Sequence, residues 1–240
     1  MNILFVVPII CAIVIYTISF REGKQVCDNY ILVSYLYALF YLSFLAFGIH
    51  FFIRNKVAST MSLGAFLGVA LLTILVQLVM LFTSKTMVVW KHFLSILFTL
   101  LLSLLASFLF AMYAPSSIVM AVLSTLVLFV ALTLMAWKYQ AFLSSSLSWS
   151  MILLFVVLIL AEFFIGLYYP NSLLEKGIIL VVLMVIGYLV LLKTKRMIEN
   201  EKKCESEGGP DYVNEGTGLM LTFQNLLIRI LQLGGKRKLK

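Results

Sequence analysis

A chain of 240 residues with 63% apolar and only 12% charged side chains falls well short of the charged quarter that a soluble domain normally carries. Its net charge of +8 comes from Lys and Arg gathered in short connections and at the C-terminus, a pattern of membrane topology and anionic lipid rather than of nucleic-acid binding. The apolar residues lie in continuous blocks without alternation, which excludes a β-barrel and leaves helices that satisfy their own backbone in lipid.

In chain order, the first block is 2–20. It has no basic n-region, and its apolar run exceeds the ~7–15 residues of a signal peptide, so a retained span is expected. Blocks 31–53, 60–83, 92–112, 114–137, 149–168 and 176–192 follow, each near the ~20 residues that cross a hydrocarbon core of ~30 Å. Connections 54–59, 84–91 and 113–117 leave no room for soluble insertions. A polar segment at 193–216 contains the turn-like Gly208-Gly209-Pro210. The last apolar stretch, 219–233, is short and carries Thr222, Gln224, Asn225 and Arg229, so it would face lipid poorly and is expected inside a bundle or dipping in and returning. The predicted fold class is all-α: a polytopic membrane helix bundle of about seven spans plus a short C-terminal helix, buried or re-entrant.

Counting Lys and Arg sets the orientation. Alternate connections hold Arg21, Lys24, Lys85, Lys91, Lys138, Lys193, Lys195, Arg196, Lys202 and Lys203, against Arg54, Lys56 and Lys176 on the opposite side. The first set is expected in the cytosol and the N-terminus in the lumen or outside the cell. The basic tail Lys236, Arg237, Lys238 and Lys240 favours a re-entrant last helix with a cytosolic end, although a buried crossing helix stays open.

Few side chains could do chemistry in the membrane. Within the seven blocks the sole acidic residue is Glu162. An intramembrane carboxylate is costly and points to function; alternatively it is a hydrogen-bonded tie between helices or a solvated group, with Tyr168, Tyr169 and Pro170 marking the interface about two turns on. Because desolvation disfavours its charged form, it is expected to be uncharged. His50 is expected at the interface, and Lys91 and His92 to snorkel from the start of a span. Thr222, Gln224 and Asn225 read as interhelical hydrogen-bonding groups or, alternatively, as part of an ion path. Cys11, Cys27 and Cys204 make an odd count with no disulfide framework and no metal or redox spacing. No Ser-His-Asp arrangement, Cys/His ligand cluster or phosphate-binding glycine loop is visible, so neither enzyme activity nor a cofactor or metal site is expected.

The C-terminal part of the chain resembles the transmembrane Bax inhibitor motif family, which includes the Bax inhibitor, lifeguard and Golgi anti-apoptotic proteins. The resemblance rests on Asp211-Tyr212-Val213, then Leu219 to Leu226 with Asn225-Leu226 closing the run, then Leu231-Gln232-Leu233-Gly234 and the basic tail. Ala121, Thr125, Phe129, Leu132 and Thr133 match a second family run, Phe98-Thr99 a third, and Gly187-Tyr188 the glycine of the penultimate helix. The resemblance covers 85–240 and extends back to 31. It divides the chain into an additional N-terminal helix and loop at 1–30, a Bax-inhibitor-like bundle at 31–233 and a basic cytosolic tail at 234–240.

The resemblance implies residence in the endoplasmic reticulum or Golgi and a role in restraining cell death or modulating calcium stores. It also implies an acidic pair in the last two helices of pH-sensitive calcium leak members. Here those positions hold Thr222 and either Leu192 or Lys193, and a further family acid is replaced by Leu102. Calcium binding is therefore not expected, and Lys193 would repel the ion or pair with Glu162. A diverged viral copy fits, since poxviruses and cytomegaloviruses encode members. The candidate functional polar residues are Glu162, Lys193, Thr222 and Asn225. The expected partners are the lipid bilayer and other membrane proteins. Three functions are expected as alternatives: contact-mediated modulation of cell death, a residual ion leak or small-solute path past Glu162, and an adaptor altering receptor trafficking in a host.

Overall fold

The computed structural model describes residues 3–21, 24–139, 148–168, 173–206 and 208–236. Tyr169 and Pro170 at the expected boundary, and Arg237, Lys238 and Lys240 of the tail, lie outside the described residues. The described chain is helical apart from a small antiparallel hairpin, β1 (Phe20–Arg21) with β2 (Lys24–Gln25), which pairs Phe20 with Gln25 and Arg21 with Lys24. The helices are α1 (Ile3–Ser19), α2 (Tyr30–Arg54), α3 (Val57–Thr60), α4 (Leu63–Phe82), α5 (Val88–Ala111), α6 (Pro115–Lys138), α7 (Ser148–Tyr168), α8 (Leu173–Lys203) and α9 (Tyr212–Gly234).

Each long helix from α1 to α8 coincides with one apolar block of the sequence. Among the described residues, α2, α4, α5, α6 and α8 are long and apolar enough to cross a membrane. The shorter apolar helices α1 and α7 do not reach that measure over their described residues. Local chemistry sets several boundaries. Ser62 caps α4 by accepting from the Ala65 amide at 3.3 Å, and α6 opens with Pro115 in its first turn, where a missing amide hydrogen costs nothing.

The polar segment departs from its expected form. Helix α8 has 31 residues, about 46 Å at 1.5 Å per residue, so it carries Lys193, Lys195 and Arg196 as helical residues rather than in a connection. The turn after it uses Gly208 (φ 79°) and Gly209 (φ 100°), a left-handed backbone that side chains with a Cβ disfavour. Helix α9 then begins at Tyr212 and runs unbroken for 23 residues, about 34 Å. The last helix is therefore neither short nor turned back on itself within 212–234.

The chain divides into two compact units. One comprises Met1–Met112 with Asn200–Met220, the other Tyr113–Glu199 with Leu221–Lys240. In the first unit α2 packs on α1 and on α5, and α5 packs on α4. Ser95, Thr99, Ser103 and Ser107 recur every fourth residue of α5 and are fully buried. Each hydroxyl donates to a carbonyl of its own helix, so the polar groups are satisfied while the small side chains let helices approach. Opposite them a Cβ on Gly48 of α2 would collide with Ser103. In the second unit Ala121, Thr125 and Phe129 form a buried stripe on α6, and Phe129 meets Phe223 of α9 edge-on at 5.6 Å. The Ala-Thr-Phe run that carries part of the family resemblance is thus a packing seam.

Candidate functional site

Helix α9 holds most of the polar chemistry. Asp211, Glu215, Thr222, Asn225, Arg229 and Gln232, with Gly218 between, follow a 4-3-4-3-4-3 spacing, which places them on one face of the helix. Arg229 on this stripe is buried and the others are half-buried, while Leu219, Met220, Leu226 and Leu231 are fully buried. A polar stripe thus runs the length of an otherwise packed helix.

In the first unit the stripe begins with an ion pair. Lys91 of α5 is 2% exposed, and its Nζ lies 2.6 Å from Asp211 Oδ2. Asp211 also caps α9, accepting at Oδ1 from the Asn214 amide at 3.4 Å, so the helix N-terminus adds to the stabilisation of its charge. Lys91 does not snorkel, because the half-buried Asp211 carboxylate meets its ammonium group. Beside it, Tyr37 and His92 share a hydrogen bond of 2.9 Å, and Gln25 Nε2 donates to the Tyr37 hydroxyl at 3.2 Å. Nδ1 of His92 donates to the Val88 carbonyl at 2.7 Å, which leaves Nε2 for the Tyr37 hydroxyl. Tyr41 bonds Ser95 at 2.9 Å, and the Tyr212 hydroxyl donates to the Val26 carbonyl at 2.6 Å.

The same end of this unit holds a disulfide between Cys27 and Cys204, 177 residues apart, with Cα atoms 5.9 Å from each other. The odd cysteine count therefore conceals one pair, and Cys11 is the buried free thiol. Lys85 Nζ donates to the Gly209 carbonyl at 3.0 Å. Connections 20–29, 83–87 and 204–211 are thereby tied together.

In the second unit Glu162 of α7 meets Arg229. The guanidinium Nη1 donates to Glu162 Oε1 and to Gln232 Oε1 at 2.8 Å, while Gln232 Nε2 donates to Glu162 Oε1 at 3.3 Å. Burial leaves the two side chains 10% and 12% exposed. Arg229 of α9 is thus the cation that Glu162 meets. Glu162 Oε2 and Arg229 Nε are buried without a hydrogen-bond partner among the described residues.

The other sequence-predicted residues divide as follows. Lys193 is half-buried on α8 beside fully packed Leu192. Thr222 and Asn225 are half-buried on α9, two turns and one turn before Arg229 respectively. His50 is exposed near the end of α2. Sequence reasoning missed both ion pairs and the disulfide; only the spacing of the polar residues on α9 could have signalled the stripe. Among the described residues no group of three His, Cys, Asp or Glu could hold a metal ion.

A family model described as "Inhibitor of apoptosis-promoting Bax1" matches residues 27–238. The chain belongs to this family. It is a multi-pass integral membrane protein, on the joint grounds of family and apolar helices. Helix α1 lies before the matched residues, whereas both ion pairs and the disulfide lie within them. No curated protein and no solved structure matches the chain.

Proposed function

We propose that this family member is a non-enzymatic endomembrane protein with a seven-helix family core, modulating cell death and calcium stores through helix contacts with other membrane proteins. The observation that carries the proposal is the occupancy of the acidic-pair positions. They hold Thr222 and Leu192 or Lys193, and Glu162, the one acidic residue of the seven apolar blocks, is bound by Arg229 and Gln232. Dehydrating calcium takes six to eight oxygen ligands, usually with carboxylates among them. A guanidinium beside the sole carboxylate both occupies its oxygen and repels a divalent cation.

The rival reading is a leak of ions or small solutes along the polar stripe of α9. It is favoured by the unpartnered buried atoms Glu162 Oε2 and Arg229 Nε, which water in such a path would satisfy. An adaptor that redirects receptors is the third reading. Proximity labelling in intact cells, combined with survival after a death stimulus, separates them. The proposal expects labelled endomembrane proteins and delayed death that persists in Glu162→Gln and Thr222→Ala variants that still accumulate. Loss of the delay in those variants would favour the path, and labelling dominated by cell-surface receptors the adaptor.

A further inference from the structure

We propose that Cys27 and Cys204 form a reversible thiol–disulfide site on the cytosolic face, exchanging with low-molecular-weight disulfides such as oxidised glutathione and clasping the α8–α9 turn onto the α1–α2 connection. The proposal rests on the orientation given by the Lys and Arg count. The tied connections and the adjoining last turn of α8 carry Arg21, Lys24, Lys85, Lys202 and Lys203, the side that stays in the cytosol. There the glutathione pool keeps thiols reduced, and disulfides are transient or redox-sensing.

The geometry suits exchange. Cys204 is 4% exposed, whereas Cys27 is half-buried, so an incoming sulfur reaches Cys27 first. The Cys27 thiolate attacks one sulfur of glutathione disulfide, and that S–S bond breaks with release of one glutathione thiolate. The Cys204 thiolate then attacks Cys27 Sγ in the mixed disulfide and expels the second. Two protein thiols are oxidised, one disulfide is reduced to two glutathione thiols, and the two cysteine protons end on glutathione. Reduction is the same sequence reversed, beginning at Cys27.

The site does not need the covalent bond to stay assembled. Tyr212 still bonds the Val26 carbonyl, one residue before Cys27, and Lys85 still bonds Gly209. The amide of Gly209 bonds the Cys204 carbonyl at 2.9 Å, and Asp211 keeps Lys91. Reduced thiols are therefore held close enough to close again, and what changes is how firmly the start of α9 is fastened.

The test is acid-quenched thiol trapping of the full-length protein in intact cells, with a maleimide–polyethylene glycol gel shift counting free thiols after denaturation. A protease site placed at the α8–α9 turn of a parallel sample reports which side the turn faces. With three cysteines in the chain, the expected result is three adducts at rest, one after diamide and three again after washout. Cys27→Ser and Cys204→Ser should each give two adducts with no closed form. One adduct at rest with a lumenal turn would overturn the orientation and the proposal with it. One adduct at rest with a cytosolic turn would overturn the redox proposal alone, leaving a permanent structural bond. Three adducts unaffected by diamide would also overturn it.

Discussion

At the scale of single residues, two ion pairs bear most of the electrostatic load. Arg229 and Glu162 are each close to nine-tenths buried, where an uncompensated charge is far costlier than a paired one. Removing one partner of a buried pair costs about 3–5 kcal/mol in soluble proteins, while replacing both is often neutral. Arg229→Met should therefore lower the thermal midpoint of the detergent-extracted protein more than Glu162→Gln, which keeps a hydrogen-bond acceptor. The Arg229→Met/Glu162→Gln double variant should be more stable than the sum of the single losses allows. Fluorescence-detected size exclusion after heating measures this, and additive losses would mean that the two side chains do not interact. At the other cluster, Lys91→Met leaves Asp211 its capping role, so it should cost less than Asp211→Ala, which removes both the counter-ion and the cap. Equal losses would argue against that double role. Neither pair was legible in the sequence, because the partners stand 120 and 67 residues apart and an isolated ionisable residue in an apolar block carries no sign of its partner.

At the scale of elements, hydropathy located α1 to α8 well, since lipid demands continuous apolar blocks and the helices simply fill them. It failed where polar residues remain helical. Residues 193–203 continue α8 and residues 212–218 open α9, although Asn214, Gly216 and Gly218 are poor helix formers. Packing overrides propensity there. Tyr212 lies within 5.3 and 5.8 Å of the Tyr30 and Tyr37 rings. A Cβ on Gly216 would clash with Tyr37 Cβ and sit 3.0 Å from the Tyr37 carbonyl carbon and 3.1 Å from the Ala38 nitrogen. Gly216 is therefore a point of close approach between α9 and α2. Gly216→Val is expected to destabilise by about 1–3 kcal/mol or more, the usual range for overpacking. Gly177→Ala on α8, where nothing lies within 4 Å, should be neutral or slightly stabilising. Equal thermal midpoints for the two variants would argue against the close approach.

At the scale of the whole molecule, the end of α9 bears on topology. The Ala114 amide donates to the Lys236 carbonyl at 3.0 Å, and the Lys236 amide donates to Ser117 Oγ at 3.0 Å. Helix α5 is apolar and long enough to cross, so the connection at 113–117 is expected on the side opposite Lys85, the lumenal side by charge. We therefore expect the C-terminus there too, contrary to the re-entrant reading that the basic tail alone supports. Epitope tags at both ends should be protected together from protease in sealed endomembrane vesicles; digestion of the C-terminal tag alone would restore the cytosolic tail. Helix-end hydrogen bonds are invisible to a charge count, which is why the sequence favoured the other answer.

The central proposal is that this family member does not conduct calcium, because the acidic-pair positions hold Thr222 and Leu192 or Lys193 and Glu162 is bound by Arg229. Calcium flux into proteoliposomes carrying the purified protein, at neutral and mildly acidic pH and beside an acidic-pair family member, tests it most directly. The account predicts flux no greater than in protein-free vesicles at either pH, and no change in Glu162→Gln. A flux comparable with the acidic-pair control, rising on acidification and abolished by Glu162→Gln, would contradict it.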